Sequence, residues 1–290
     1  MNRSMDILLT GLAPAVWGST YFVTTEFLPP DYPMTVALLR ALPAGLLLLL
    51  LVRRLPQGIW WLRVAVLGAL NFSLFWWLLF VSAYALPGGV AATVGAIQPL
   101  VVLLLAGLLL GSPLRAGAVL AALGGMLGVA LLVLTPRAAL DWVGVAAGLG
   151  GALSMALGTV LTKRWQPDVS PLTFTAWQLV AGGLLLLPVA LAFEPPLPPL
   201  TVSNVVGFAW LGLVGGALTY LVWFRGIARL GPSAVSPLGF LSPVSAILIG
   251  WLLLAQDLTP AQAAGVIVVL ASVWFSQHAQ RPAPAPAPAR

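Results

Sequence analysis

The chain has no cysteine, one histidine (His278), and charged side chains at only 7% of its 290 positions. The first absence excludes disulfides, thiolate nucleophiles and cysteine metal sites. The second leaves no Ser-His pair and no clustered Asp-His set, so an intramembrane enzyme would lack both a nucleophile with its base and a metal. The shortage of charge excludes a water-soluble globular chain, where charged residues make up about a quarter of the total. There is no Walker-type phosphate loop. The net charge of +6 would point to nucleic acid only if the basic residues clustered, and they stand in ones and twos between apolar runs. No cofactor, metal ion or nucleic-acid partner is expected.

What the chain does have is apolar sequence: 60% of residues, with a mean hydropathy of +1.04. A membrane-spanning helix takes about 20 residues, so ten spans use roughly 200 and leave roughly 90 for connections and tails, with no room for a soluble domain. Charge, proline and glycine punctuation places the spans at about 6–28, 33–52, 62–86, 88–110 and 115–134, then about 141–162, 170–193, 203–228, 231–254 and 259–277. The runs are Leu-, Ala- and Gly-rich, continuous and too long for barrel strands. The fold class expected is all-α, a polytopic protein of the lipid bilayer.

With the N-terminus in the cytoplasm, Arg3, Arg53, Arg54, Arg63, Arg115, Lys163, Arg164, Arg225, Arg229, Arg281 and Arg290 all fall on the cytoplasmic side, and Arg137 falls outside. Glu26, Asp31, Asp141, Glu194 and Asp257 fall outside. This fits the positive-inside bias and predicts both termini in the cytoplasm. A cleaved signal peptide is not expected, because the first apolar run continues past any small-residue site through Trp17, Tyr21, Phe22 and Val23. Residues 278–290, rich in alternating Pro and Ala, are expected to form a disordered cytoplasmic tail.

The chain also repeats itself. An offset of 138 aligns Pro29 with Pro167, Pro33 with Pro171, Thr35 with Thr173 and Gly45 with Gly183. An offset of 144 aligns Pro99 with Pro243, Leu86 with Leu230 and Leu104 with Leu248. Residues 1–136 and 137–277 thus read as two five-helix repeats, and an odd number of spans makes the second copy inverted. Inverted repeats are usual in secondary transporters, whose substrate site lies near mid-membrane between the halves.

Ionisable residues inside hydrocarbon are costly, and Arg40 is almost alone there. It lies about 10 Å into the second span, with no acid at helical spacing. Two readings stand: its stem snorkels outward, or it faces a central cavity and attracts a substrate carboxylate. The repeat aligns it with Gln178, which follows Trp177. The third span carries Asn71, Trp76 and Tyr84, and its partner carries Tyr220 and Trp223, with Trp76 aligned on Tyr220. Apolar walls with a few polar groups suit a neutral or zwitterionic organic solute. In the first span Trp17-Gly18-Ser19-Thr20 sets a small polar break beside an aromatic, which also serves close helix packing. Gln98 and Ser242 precede the aligned Pro99 and Pro243, which interrupt helical hydrogen bonding and are candidate hinges. No carboxylate lies deep in a span, so proton coupling lacks an evident carrier, and the expectation is uncoupled facilitated diffusion or a coupling that the sequence does not show.

At these residues the chain resembles the ten-helix EamA type of the drug/metabolite transporter superfamily. The likeness rests on Ala15-Val16-Trp17-Gly18-Ser19-Thr20-Tyr21, on Arg40, and on Tyr220-Leu221-Val222-Trp223-Phe224 leading to Arg229-Leu230-Gly231-Pro232. It continues through Leu241-Ser242-Pro243-Val244 to Gly250–Leu254, Gln262 and Gly265. The resemblance implies a carrier that exports small metabolites from the bacterial inner membrane. Within the superfamily, the tryptophan-rich lining and deep arginine are most similar to the YddG-like exporters of aromatic and other neutral amino acids. The chain departs at Leu110-Gly111-Ser112-Pro113, where the family often has an acid after the glycine.

The leading expectation is an exporter of small metabolites, neutral amino acids foremost, working by alternating access. Trp17, Ser19, Tyr21, Arg40, Asn71, Trp76, Tyr84, Gln98, Trp177, Gln178, Tyr220, Trp223 and Ser242 are its candidate substrate-binding residues. An exporter of hydrophobic cations would use the same aromatics, but Arg40 repels cations. A structural membrane protein is the alternative from another class. The natural solute, the direction of transport and the oligomeric state are not legible in the sequence.

Overall fold

The structure, a computed structural model, describes residues 3–85, 94–133, 141–255 and 257–280; the side chains of Tyr21, Ala83 and Tyr84 lie outside the described set. Among the described residues there are ten helical elements and no strand. They are α1 (Arg3–Phe27), α2 (Pro33–Val52), α3 (Trp60–Gly68, a π-helical turn Ala69–Ser73, then Leu74–Ala85), α4 (Gln98–Leu110) and α5 (Ala116–Val133). Then come α6 (Trp142–Arg164), α7 (Pro171–Phe193), α8 (Val202–Ala209, a π-helical stretch Trp210–Leu218, then Thr219–Leu230), α9 (Pro232–Val235, a 3-10 turn Ser236–Phe240, then Leu241–Leu253) and α10 (Pro260–Ala279). Nine are long and apolar enough to span a membrane, and α4 is shorter. Part of the fourth span expected from residue 88 lies outside the described residues. So does the tail beyond 280, whose first two expected residues are the last two of α10.

Local chemistry accounts for the helix ends. Asp141, Ser170, Thr201 and Thr259 cap α6, α7, α8 and α10 by accepting from backbone N–H groups, and Thr201 and Thr259 form reciprocal capping boxes with Asn204 and Gln262. The α2 N-terminus has no cap of its own. It is closed by Glu194, beyond α7, whose two oxygens accept from Met34 N at 2.6 Å and Thr35 N at 2.7 Å. Gly231 separates α8 from α9 at φ 84°, a conformation in which a Cβ is strained.

The repeat prolines sit where a missing N–H costs least. Pro99 is in the first turn of α4, just after a turn at residues 96–97, and Pro243 is in the first turn of Leu241–Leu253, just after the 3-10 turn. The break in each helix lies immediately before its proline.

The helices pair across the chain. The most extensive contact is α2 along α7, followed by α5 along α10; α1 packs on α9 and α8, and α6 on α4 and α3. Glycines make these crossings close. A Cβ at Gly45 would stand 2.7 Å from Val180 N, and one at Gly183 would stand 2.6 Å from Leu42 Cβ. The ends are tied as well, by Arg3 Nη2 donating to Gln280 O at 3.3 Å and by Arg115 Nη1 donating to Ala279 O at 2.9 Å. The first of these fixes one pole of the bundle, called here the terminal pole.

Candidate solute site

Arg40 resolves one of the two readings left open by the sequence. It is 9% exposed, and its Nη2 donates to Gly215 O of α8 at 2.8 Å. Its guanidinium carbon stands 5.4 Å from the centre of the Trp76 ring. The starts of α8 and α2 share a pole, because Asn204 Nδ2 donates to Phe27 O. Arg40 lies about 10 Å from that pole along α2, and its backbone stands level with this part of α8, since a Cβ at Gly216 would lie 2.9 Å from Arg40 O. The side chain therefore ends on a carbonyl inside the bundle, at about the depth of its own backbone, and does not snorkel.

The carbonyl it meets is exposed by the backbone itself. The π-helical stretch Trp210–Leu218 loosens the regular hydrogen-bond ladder. Gly216 lets α2 approach, since a Cβ there would lie 2.9 Å from Arg40 O. The same Gly215 oxygen accepts from Trp17 Nε1 at 3.2 Å and from Thr219 Oγ1 at 2.8 Å. Trp17 Nε1 also donates to Thr219 Oγ1 at 2.9 Å.

A cluster of rings lies beside this node. Trp17 is 5.0 Å from both Tyr220 and Trp223, Phe72 is 4.6 Å from Tyr220 and 5.3 Å from Trp76, and Phe224 closes against Phe72 and Tyr220. At these separations the rings pack against one another. Two buried donors there have no partner, Arg40 Nε and Trp223 Nε1. A cavity of about 480 Å³ lies elsewhere, toward the terminal pole, lined by Leu9, Ser170, Pro171, Leu172, Leu221, Val222 and Arg225.

A second polar node sits across the ring cluster. Asn71 Nδ2 donates to Gln178 Oε1 at 2.8 Å and to Thr162 Oγ1 at 3.2 Å. Asn71 belongs to the π-helical turn of α3. The repeat offsets connect the nodes: Arg40 corresponds to Gln178, and Asn71 to Gly215. In each half, the polar residue of one repeat's second helix thus meets the π-helical turn in the other repeat's third helix.

The other candidates separate from this centre. Trp177 turns away from Gln178, donating from Nε1 to Arg54 O at 2.6 Å and packing near Trp60, over which Arg63 also lies. Ser19 donates to Val16 O at 2.7 Å and accepts from Trp210 Nε1 at 3.0 Å. Gln98 and Ser242 are half-buried at the starts of α4 and α9's long segment; Gln98 Nε2 has no partner, and Ser242 O lies where a Cβ at Gly18 would strike it. Tyr21 and Tyr84 are candidates whose side chains lie outside the described set.

Sequence reasoning passed over Phe72, Thr162 and Asp6, and noted Thr219 and Phe224 on the eighth span without counting them as solute-binding candidates. Asp6 Oδ1 accepts from Arg225 at 2.8 Å and from Arg229 at 3.1 Å, tying α1 to α8 at the terminal pole. The Asp6 side chain is 8% exposed, whereas Arg229 is 45% exposed. Between the buried and surface limits for ion pairs, Asp6→Asn is expected to cost about 1–3 kcal/mol, read as a lower unfolding temperature in detergent. An unchanged temperature would show that the arginines are served equally well by water. Among the described residues, no group of three or more His, Asp or Glu is placed to hold a metal ion.

A bundle of apolar helices with a buried, ring-lined polar centre defines a polytopic membrane transporter. The chain belongs to the EamA-like transporter family, whose pattern it matches twice, at residues 4–134 and 142–276. It is 47% identical over 267 residues to Protein PecM of Dickeya dadantii (strain 3937), covering 91% of this chain and 90% of that protein. It is 31% identical over 280 residues to the WAT1-related protein At3g02690, chloroplastic, of Arabidopsis thaliana, covering 89% of this chain and 66% of that one. Over 260 residues it is 28% identical to the uncharacterized inner membrane transporter YedA of Escherichia coli (strain K12), covering 87% and 85%. A solved crystal structure with 20% identity has the same fold, at a TM-score of 0.80 over 96% of this chain and 98% of that one.

Proposed function

We propose that the protein exports small neutral metabolites bearing a carboxylate, neutral and aromatic amino acids foremost, across a bacterial inner membrane. The carrying observation is Arg40: a buried cation with no carboxylate against it among the described residues, one donor still unpartnered, and aromatic rings on its flank. Isolated buried charge is costly. A solute carboxylate would supply the missing counter-ion through charge-assisted bonds, while Trp17, Trp76, Tyr220 and Trp223 would take its apolar part.

Two antiparallel repeats, 1–136 and 137–277, would rock about the shared centre, opening it to one face at a time. The touching rings would be the closed gate of one such state, and the breaks before Pro99 and Pro243 its hinges. Both termini would face the cytoplasm, in keeping with the distribution of arginines. Transport would need no cofactor and would run without a proton, there being no carboxylate deep in a span among the described residues.

Counter-flow in vesicles reconstituted with the purified chain tests this reading. Labelled phenylalanine is expected to exchange against unlabelled neutral amino acids, with flux persisting when the pH gradient is abolished. Exchange with quaternary ammonium compounds instead would favour a hydrophobic-cation exporter. Absence of any flux would favour a structural protein.

A further inference from the structure

The second polar node carries more chemistry than packing requires. Asn71, Gln178 and Thr159, which stands one turn before Thr162 on α6, are fully buried, and three of their polar atoms have no partner: Asn71 Oδ1, Thr159 Oγ1 and Gln178 Nε2. Two primary amides that meet can close a reciprocal pair of hydrogen bonds. Here Asn71 Nδ2 donates to Gln178 Oε1, and the return bond, from Gln178 Nε2 to Asn71 Oδ1, is not made. The leftover atoms are one acceptor, one donor and one hydroxyl. Gly158 leaves the Asn71 oxygen its place, since a Cβ there would stand 2.2 Å from it.

The two nodes differ in what they offer. Around Arg40 the unpartnered groups are donors only, Arg40 Nε and Trp223 Nε1, which suits an anion. Around Gln178 they are mixed and uncharged, which suits a neutral group that both donates and accepts. Leaving such groups buried and unpaired costs about 1–3 kcal/mol each, so a ligand that satisfies them gains selectively. Along α3, Asn71 precedes Trp76 by five residues, roughly 7.5 Å of rise, and the Arg40 guanidinium carbon stands 5.4 Å from the Trp76 ring centre. That spacing matches the two ends of one amino-acid-sized solute.

We propose that Asn71, Thr159 and Gln178 form a specificity site for a carboxamide, or a group of the same donor–acceptor pattern, at the end of the solute opposite its carboxylate. The inference rests on the carrier reading above. A carboxamide oxygen accepts from Gln178 Nε2 while its N–H donates to Asn71 Oδ1, completing the amide pairing that the protein leaves open. A side chain of equal length without the amide leaves those atoms unpaired, and sites built to hydrogen-bond a solute reject such analogues strongly.

The test is competition against labelled phenylalanine counter-flow in vesicles of the full chain, with glutamine and methionine as probes of similar length. The wild type is expected to prefer glutamine by about tenfold or more, the factor given by about 1.4 kcal/mol. Gln178→Met and Thr159→Val, both near-isosteric, are each expected to bring the glutamine-to-methionine ratio toward one. The ratio is taken only on protein whose unfolding temperature shows it folded, with the second variant as a check on the first. A wild-type ratio near one, or a ratio that survives both substitutions, overturns this site and leaves the carrier standing. Failure of both amino acids to compete at all overturns the amino-acid reading itself.

Discussion

Arg40→Gln is expected to reduce amino-acid counter-flow by about 10- to 100-fold while leaving the unfolding temperature within about 3 °C of the wild type. The first figure follows from losing hydrogen bonds to a charged partner, about 1.5–3 kcal/mol. The second reflects opposing contributions. The substitution gives up the bond to Gly215 O and the stacking on Trp76, but it also removes an uncompensated charge from a buried position, which is a gain. Together these amount to about 1 kcal/mol or less, a few degrees for a chain of this size. Arg40→Lys is expected to recover only part of the flux, because an ammonium cannot present a planar fork to a carboxylate while keeping the Gly215 bond. Parallel loss of flux and stability in Arg40→Gln would make the arginine a structural strut and remove the main support for an anionic solute end.

What the sequence shows of this centre depends on whether a side chain or a backbone does the work. Tyr220, Trp223 and Phe224 recur at i, i+3 and i+4, so their common face is legible from helical spacing. The offsets that pair Arg40 with Gln178 are legible too. The carbonyl that receives Arg40 is not, because any residue has one; only the Gly212, Gly215 and Gly216 cluster hints that the α8 backbone is irregular. Spacing also argued against one of the expected residues. Trp177 and Gln178 are neighbours in sequence, about 100° apart on the helix, so their side chains diverge. The structure turns Gln178 inward and Trp177 to the carbonyl of Arg54. Asp6 was hidden for a different reason: its partners Arg225 and Arg229 lie more than two hundred residues away, and charges near a membrane boundary read as topology signals before they read as pairs.

The long spans were legible because composition alone sets them, and α1, α2, α5, α6, α7 and α10 lie within a few residues of their expected ranges. The interruptions were less so. Proline in an apolar run reads as a kink, whereas Pro99 and Pro243 start helical segments whose irregular backbone lies before them. A proline in a first turn gives up no hydrogen bond. The residues that adapt at each break are therefore those just upstream, Ala96 and Ile97 in one repeat and Ser236–Phe240 in the other.

Gly45→Ala and Gly183→Ala are each expected to destabilise the protein by about 1–3 kcal/mol, and by more if α2 and α7 cannot part. Both glycines lie in the α2–α7 crossing, and the repeat offset makes them equivalents. A Cβ at Gly45 would meet Val180 N at 2.7 Å and the Leu179 carbonyl carbon at 2.9 Å; one at Gly183 would meet Leu42 Cβ at 2.6 Å and Leu42 Cα at 2.8 Å. These are mostly backbone atoms, which do not rotate aside as a side-chain tip would, so accommodation means moving the whole helix. A single separation of α2 from α7 would relieve both clashes. The double variant is therefore expected to cost less than the sum of the singles, with coupling of about 0.5 kcal/mol or more, as for residues that share one backbone shift. The same movement shifts Arg40 on α2 and Gln178 on α7, so counter-flow in the single variants should fall further than their loss of stability accounts for. Thermal unfolding of the two singles and the double in one detergent, beside counter-flow of each, decides the matter. Strict additivity would mean that each clash is absorbed locally, and that the crossing does not move as a unit.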